Sequence, residues 1–541
     1  MAKIKHFWNT NQGKLLVLSI IFLAFASIFV GYKEAKINIT NSDALSYNVM
    51  LSEPYSLNNY HAPADHANVI HFPFVSLENR LIDLTHNNIP HYAIAALLML
   101  LMNMGIIYIV YKISDKNKNA TAIAGFLLTS ITLFTELQGH VWGFSSTAIR
   151  NIEIPLIIMA ILMIAKSTKI SHSLLWIFLG VLIGLTDMLA MYYVAIAIML
   201  FIAFEAIRLK SIKRIFAKYK IILLSLISIP ILAKIISLII NKAGILVLVD
   251  RSQGIRTTGS LSEMFNNLLT SIEGLMKLFG ANVFNATVKS MVIYSLGFIV
   301  FAGIFYFVVK AATKYKKMNT EIKLIMMFGV AGIIFAVLFG VTDRYLVYIP
   351  AISIIIMAYE LKSKIQLKDK LNNKNLILIC IVALIGFIAL VGCSNIFYNR
   401  AQPIASTKIG RYTSVDMSEL MKDQNVGVVV GSYWVVNATK YHYDKTSDQK
   451  LIVVSCPDPI NSRRVDYFNM SSSGMKKQIQ DNDRKSAIVV GTTMFDELQT
   501  KEDVIEGLPY GKLVAEFSVD PYIVLIYDSD VRDKIDFTPI R

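Results

Sequence analysis

The sequence predicts a polytopic α-helical membrane protein, with about eleven transmembrane helices, its N-terminus inside and a C-terminal extracytoplasmic α/β domain. Three observations carry that expectation. Hydrophobic residues make up 55% of the 541 positions and charged ones 17%, with a mean hydropathy of +0.53, outside the range of ordinary soluble domains. Apolar runs of spanning or near-spanning length recur from Leu15 to Val391. Lys and Arg gather in short clusters after alternate runs, as connections held on the cytoplasmic side do. The same clusters account for most of the net charge of +15. No Gly-rich or aromatic-interleaved basic motif accompanies them, so nucleic acid is set aside as a partner.

Taken in order, Lys3, Lys5 and Lys14 precede the first run, 15–30. Ala24-Phe25-Ala26 resembles a signal-cleavage site, but the apolar character continues to Gly31 and favours an uncleaved helix. Run 92–111 leads in to Lys112, Lys116 and Lys118; 120–134 returns to an outer loop, 135–151. Run 154–165 goes in to Lys166 and Lys169. Runs 174–185 and 188–205 turn tightly at Asp187 and end at Arg208, Lys210, Lys213 and Arg214. Run 221–240, with Pro230 its main candidate for a break, leads to the outer loop 241–289. Run 291–309 returns to Lys310, Lys314, Lys316 and Lys317, and 324–340 and 345–359 enclose the outer turn 341–344. After Lys362, Lys364, Lys368, Lys370 and Lys374, run 376–391 delivers the rest of the chain outside.

The division is therefore 1–393, a membrane domain with large outer loops 32–91 and 241–289, and 394–541, an outer domain. In the latter, 425–431, 450–455, 486–491, 512–518 and 522–528 read as β-branched strands, with helices at 416–423, 474–481 and 492–500. It holds no nucleophile elbow, phosphate-binding loop or zinc signature and is expected to be an accessory or acceptor-recognition domain. Cys380, Cys393 and Cys456 give no disulfide framework. Two outer stretches are amphipathic at helical spacing. One carries Phe74, Leu77, Leu81 and Leu84 after Pro73; the other carries Leu261, Phe265, Leu268, Ile272, Leu275 and Phe279 after a Ser260–Glu263 capping box.

The loop 32–91 is far longer than a turn requires and holds Asp43, Glu53, Asp65, Glu78, His61, His66, His71, His86 and His91. Asp43 stands about a dozen residues beyond the first run and is its candidate centre. The other outer connections carry Glu136, His140, Arg150, Glu153, Asp187, Asp343 and Arg344. Arginine forks suit a phosphate at the membrane surface, and a carboxylate beside it can take the proton of an attacking hydroxyl. His61, Asp65, His66 and His71 are ligand types for a divalent metal, but their spacing matches no established site and no cofactor is expected.

This layout resembles the GT-C class of integral-membrane glycosyltransferases. The likeness rests on Asp43 shortly after the first span, the long first loop, interfacial helices and the outer C-terminal domain. It rests also on Arg150 with Glu153-Ile154-Pro155 and on Asp343-Arg344-Tyr345-Leu346, which are similar to arginine-bearing segments of that class, and on Gly431-Ser432-Tyr433-Trp434. The resemblance implies a polyprenyl-phosphate sugar donor, a glycan or lipid-linked acceptor, contact with membrane lipids, Asp43 as catalytic residue, and Arg150 and Arg344 as ligands of the donor phosphate. Asp65, His66, Glu136 and Asp187 are then candidates for acceptor contact or support, and the bacterial inner membrane, with a periplasmic C-terminal domain, is the expected location. The chain departs from a frequent pattern of the class: Ser42, Ala44 and Leu45 flank Asp43 where a second acid would make a pair. A polysaccharide polymerase or ligase using a lipid-diphosphate glycan, and a lipid or glycan transporter, share parts of this layout.

Overall fold

The computed structural model describes residues 11–38, 61–63, 69–85, 87–137, 151–243, 247–249, 259–281, 291–340, 345–362, 405–431, 433–455, 483–490, 512–519 and 522–528. It is mostly helical, with a small sheet toward the C-terminus. The helices of the first part are α1 (Asn11–Asn38), α2 (Phe72–Thr85), α3 (Ile89–Ile113), α4 (Lys118–Leu137), α5 (Glu153–Lys166), α6 (Ile170–Thr186), α7 (Met188–Leu209), α8 (Ile212–Lys242), α9 (Leu261–Leu278), α10 (Met291–Thr313), α11 (Thr320–Phe339) and α12 (Tyr348–Leu361). Six of them (α1, α3, α7, α8, α10 and α11) are long and apolar enough to cross a membrane, and α4, α6 and α12 are shorter apolar helices. The expected run 376–391 lies outside the described residues, as do Cys380, Cys393 and Cys456.

The bundle packs by apolar stripes reinforced with buried hydroxyls and amides, which hold helices together where lipid supplies no hydrophobic drive. Asn103 of α3 donates to Ser27 of α1 at 2.8 Å, and Ser173 of α6 meets Ser225 of α8 at 2.8 Å. Leu23, Ala26 and Val30 of α1 are buried in this core. In α8, Pro230 sits inside continuous helix; the irregular residue is Tyr219, at φ −115° and ψ 15°. Two helical segments meet at that kink, and the one that carries Pro230 follows Tyr219, in keeping with the expected run 221–240.

The basic connections meet at one end of the bundle. Asn117 donates to the Lys362 carbonyl at 3.4 Å, Lys362 pairs with Asp115 at 3.1 Å, and Lys314 with Glu360 at 2.5 Å. Glu205 accepts from Lys323 and Tyr219, each at 2.9 Å, and from Arg208. Residues 70–71, 88–92, 151–153, 186–188 and 345–348 are joined by contacts at the opposite end.

After residue 404 come α13 (Ala405–Asp423), β3 (Val426–Gly431), α14 (Tyr433–Thr446), β4 (Ile452–Ser455), β5 (Lys485–Val490), β6 (Leu513–Val519) and β7 (Tyr522–Tyr527). The sheet order is β4-β3-β5-β7-β6, with β4, β3 and β5 parallel and the β6–β7 hairpin antiparallel. Earlier in the chain, β1 (His61–Pro63) and β2 (Val247–Val249) pair in parallel and join the two long loops. All five expected strands of the C-terminal region are present. Helix 416–423 is the second half of α13, and 474–481 and 492–500 fall outside the described residues. Helix α14 has no counterpart in the expected elements.

Candidate active site

The loop-bearing end is built around the starts of α3, α5, α7 and α12. Helix α2 lies across it. Its buried face is Val75, Glu78 and Ile82, preceded in the same register by His71, while Leu77 and Leu84 are exposed. Leu77 and Leu84 thus share the exposed face with Ser76, Arg80 and Asp83, a mixed outer face that suits a helix lying at an interface. Helix α9 behaves alike. Ser260 caps it by accepting from the Glu263 amide at 3.2 Å, Glu263 accepts from the Gly259 amide at 2.9 Å, and Leu261 and Phe265 are exposed while Leu275 and Phe279 are buried.

Two buried histidine–carboxylate pairs clamp α2. His71 Nε2 lies 2.7 Å from Glu153 Oε1 at the start of α5, and His91 Nδ1, at the start of α3, lies 2.6 Å from Glu78 Oε1; all four side chains are fully buried. The other Glu153 oxygen accepts the Asn151 amide at 3.0 Å. Upstream, the Ile70 amide donates to Thr186 Oγ1 at the end of α6, at 3.1 Å.

Asp187 is the single residue between α6 and α7. It caps α7 by accepting from the Leu189 amide at 3.1 Å, and the Tyr348 hydroxyl donates to its other oxygen at 3.4 Å. Tyr193 of α7 donates to the Tyr345 carbonyl at 2.6 Å. Asp187 is therefore a buried residue that fixes the start of α12. The arginine candidates adjoin two of these anchored points in the chain: Arg150 precedes Asn151, and Arg344 precedes Tyr345. Arg150, Arg344, Asp43, Asp65 and His66 themselves lie outside the described residues; Glu136 falls within the last turn of α4. Sequence reasoning did not pair His71 with Glu153 or Glu78 with His91. The seven-residue spacing of His71 and Glu78, which puts both on one helix face, was the available signal.

Below this end runs an apolar groove between α9, α10, α11 and α12, lined among others by Phe279, Phe301, Phe305, Ile333, Ile349 and Ile356. Ile349, one of its lining residues, stands four residues after Tyr345.

The C-terminal region rests on the same end. Tyr441 donates to Asn88 Oδ1 at 3.2 Å, Lys445 donates to both Asn88 Oδ1 and the Tyr441 hydroxyl, and Ala438 and Tyr441 pack against Tyr92. Tyr92 meets Tyr32 of α1 edge-on at 5.2 Å. Burial pushes the Lys445 ammonium down to about 7, against the pull of Glu78 and Asp83. Burial likewise pushes the Tyr441 phenol up, with Glu78 adding to it.

No family model matches the chain, and no curated protein matches it. Solved structures do. The crystal structure of ArnT from Cupriavidus metallidurans bound to undecaprenyl phosphate aligns over 94% of this chain and 97% of its own, at 10% identity and a TM-score of 0.50. The chain has the ArnT fold. The apo crystal structure of the same ArnT aligns over 96% of this chain and 99% of its own, at 10% identity and a TM-score of 0.48. The likeness spans both the helical bundle and the C-terminal sheet.

Proposed function

We propose that the protein transfers a sugar, a hexose in the simplest case, from a polyprenyl-phosphate donor to a surface glycan or lipid-linked acceptor at the outer face of a bacterial inner membrane. The observation that carries the reading is the groove between α9 and α12. It offers an apolar groove whose lining includes Ile349, next to Tyr348 at the start of α12 and five residues after Arg344 in the chain, where an isoprenoid chain would hand its phosphate to the interface. The neighbour with undecaprenyl phosphate bound supports the same lipid class.

In this reading residues 1–393 form the membrane domain and 394–541 an outer domain, so the end bearing α2 and the C-terminal sheet faces outward. Arg150 and Arg344 hold the donor phosphate through paired N–H donors and offset the charge it gains on leaving. Asp43 accepts the proton of the acceptor hydroxyl as its oxygen attacks the anomeric carbon and the sugar–phosphate bond breaks. Asp187 acts indirectly: through Tyr348 it sets the start of α12 and thereby the segment that follows Arg344. The C-terminal domain, seated on Asn88 and Tyr92, stands where it can present an acceptor.

The test is transfer by the purified protein in lipid nanodiscs, offered either a polyprenyl-monophosphate sugar or a lipid-diphosphate oligosaccharide. Consumption of the first, with release of polyprenyl phosphate, is expected. Consumption of the second alone makes the protein a polymerase or ligase.

A further inference from the structure

We infer that His71 and Glu153 form a positioning pair that sets the turn at Asn151, next after Arg150 in the chain, against the start of α2. The inference rests on the transferase reading above and adds two residues to it.

The geometry is specific. Glu153 uses one oxygen for His71 Nε2 at 2.7 Å and the other for the Asn151 amide at 3.0 Å. The Asn151 side chain in turn accepts from the Ile152 amide at 2.5 Å, and its carbonyl accepts from the Ile154 amide at 3.1 Å. Asn151, Glu153 and His71 are all fully buried. The turn that follows Arg150 in the chain is thus tied through the Asn151 amide to one carboxylate, and through Asn151 itself to the Ile152 and Ile154 amides. That carboxylate is tied to a histidine whose own carbonyl starts α2, accepting from Phe74 and Val75 at 2.9 and 3.0 Å. One residue upstream, Ile70 is tied to Thr186. Three connections that are distant in sequence are therefore registered to one another through His71.

Stability alone gives no reason for this pair. Apolar side chains of similar volume commonly match or exceed a buried ionisable pair, whose retention is best attested where it fixes register. His71 Nδ1 is buried with no hydrogen-bond partner among the described residues, a further cost that an apolar side chain would not carry. A carboxylate in the first turn also suits the helix N-terminus. Leucine there would serve packing as well but could not hold the Asn151 amide.

The experiment compares Glu153→Ala, Glu153→Gln and His71→Ala in the full-length protein. Glutamine can still accept from Asn151 and donate to a neutral imidazole, so it keeps the position and loses the charge. Positioning predicts that both alanine variants lose roughly ten- to a hundredfold in kcat/KM for the lipid-phosphate donor, mainly through KM. It also predicts that the double alanine variant is no worse than either single one, and that Glu153→Gln stays near wild type. Where His71→Ala does not accumulate, His71→Leu fills the space without a donor. Folded alanine variants with wild-type donor kinetics overturn the inference, as does a glutamine variant as damaged as alanine. Hydrogen exchange at the Asn151 amide supplies a readout independent of transfer. It is expected slow in wild type and Glu153→Gln and fast in Glu153→Ala. Equal exchange in all three overturns the positioning even when no donor is consumed, whereas wild type that turns over no lipid-phosphate sugar while the exchange pattern holds refutes only the transferase reading.

Discussion

The Lys323 ammonium donates to the Glu205 carboxylate at 2.9 Å, joining α11 to α7 with both side chains buried. Tyr219, at the kink within α8, donates to the same carboxylate at 2.9 Å. Three helices thus share one buried acid at the basic end of the bundle. Lys323→Ala leaves that acid short of a partner and should cost about 3 kcal/mol, the lower part of the range for a broken buried pair because Arg208 and Tyr219 remain. Replacing the pair together by Glu205→Leu and Lys323→Met should restore most of the loss. Thermal unfolding in detergent, followed for the two single variants and the double one, measures both effects.

Lys445 makes the seat of the C-terminal region sensitive to pH. A free lysine titrates near 10.5, and the buried Lys445 near 7. Between those values the undocked state binds more protons, so docking strengthens as pH rises through the window and is weakest below 7. Hydrogen exchange across residues 433–446, corrected for intrinsic rates, should therefore slow between pH 7 and 9. Lys445→Met should flatten that dependence.

Arg150 and Arg344 are expected to act on the donor rather than on the fold. Losing one charge-assisted, two-pronged contact removes about 1.5–3 kcal/mol, roughly ten- to a hundredfold in donor use. Lysine should rescue each only in part, because it lacks the fork. Normal donor binding and turnover in both alanine variants would reduce these residues to interfacial anchors.

Asp43→Asn keeps the size of the side chain but cannot take a proton. Transfer should fall by about a hundred- to ten-thousandfold while expression and donor binding persist. Assays in membranes carrying equal amounts of variant and wild type decide it. A near-normal rate moves the base elsewhere, with Asp65 and Glu136 next in line.

Much of this architecture was legible in the sequence because bilayer physics writes it in one dimension. Apolar length marked the helices, and Asp187 alone separates α6 from α7, as its isolation between two apolar runs implied. The strands of the C-terminal sheet announced themselves by β-branched runs such as Val428-Val429-Val430. Helix α14 did not, because Tyr433, Val435, Val436, Tyr441 and Tyr443 favour strands and only packing against the sheet makes the segment helical. Proline drew attention to residue 230, whereas the irregular backbone falls at Tyr219, where three polar groups converge on Glu205. The leucines of α2 were legible, but which face they occupy was not. The buried face carries Val75 and Ile82 together with His71 and Glu78, whose carboxylate and imidazole partners stand on α5 and α3. Pairings across 82 positions, such as His71 with Glu153, leave no periodic trace.

A structure of the protein with a polyprenyl-phosphate sugar bound tests the central claim most directly. The account predicts an isoprenoid chain between α9 and α12, over Phe301 and Ile352, with the phosphate at the start of α12 within reach of Arg344 and Arg150. Asp43 should face the anomeric carbon. A lipid bound away from that groove, or a phosphate held by neither arginine, would contradict it.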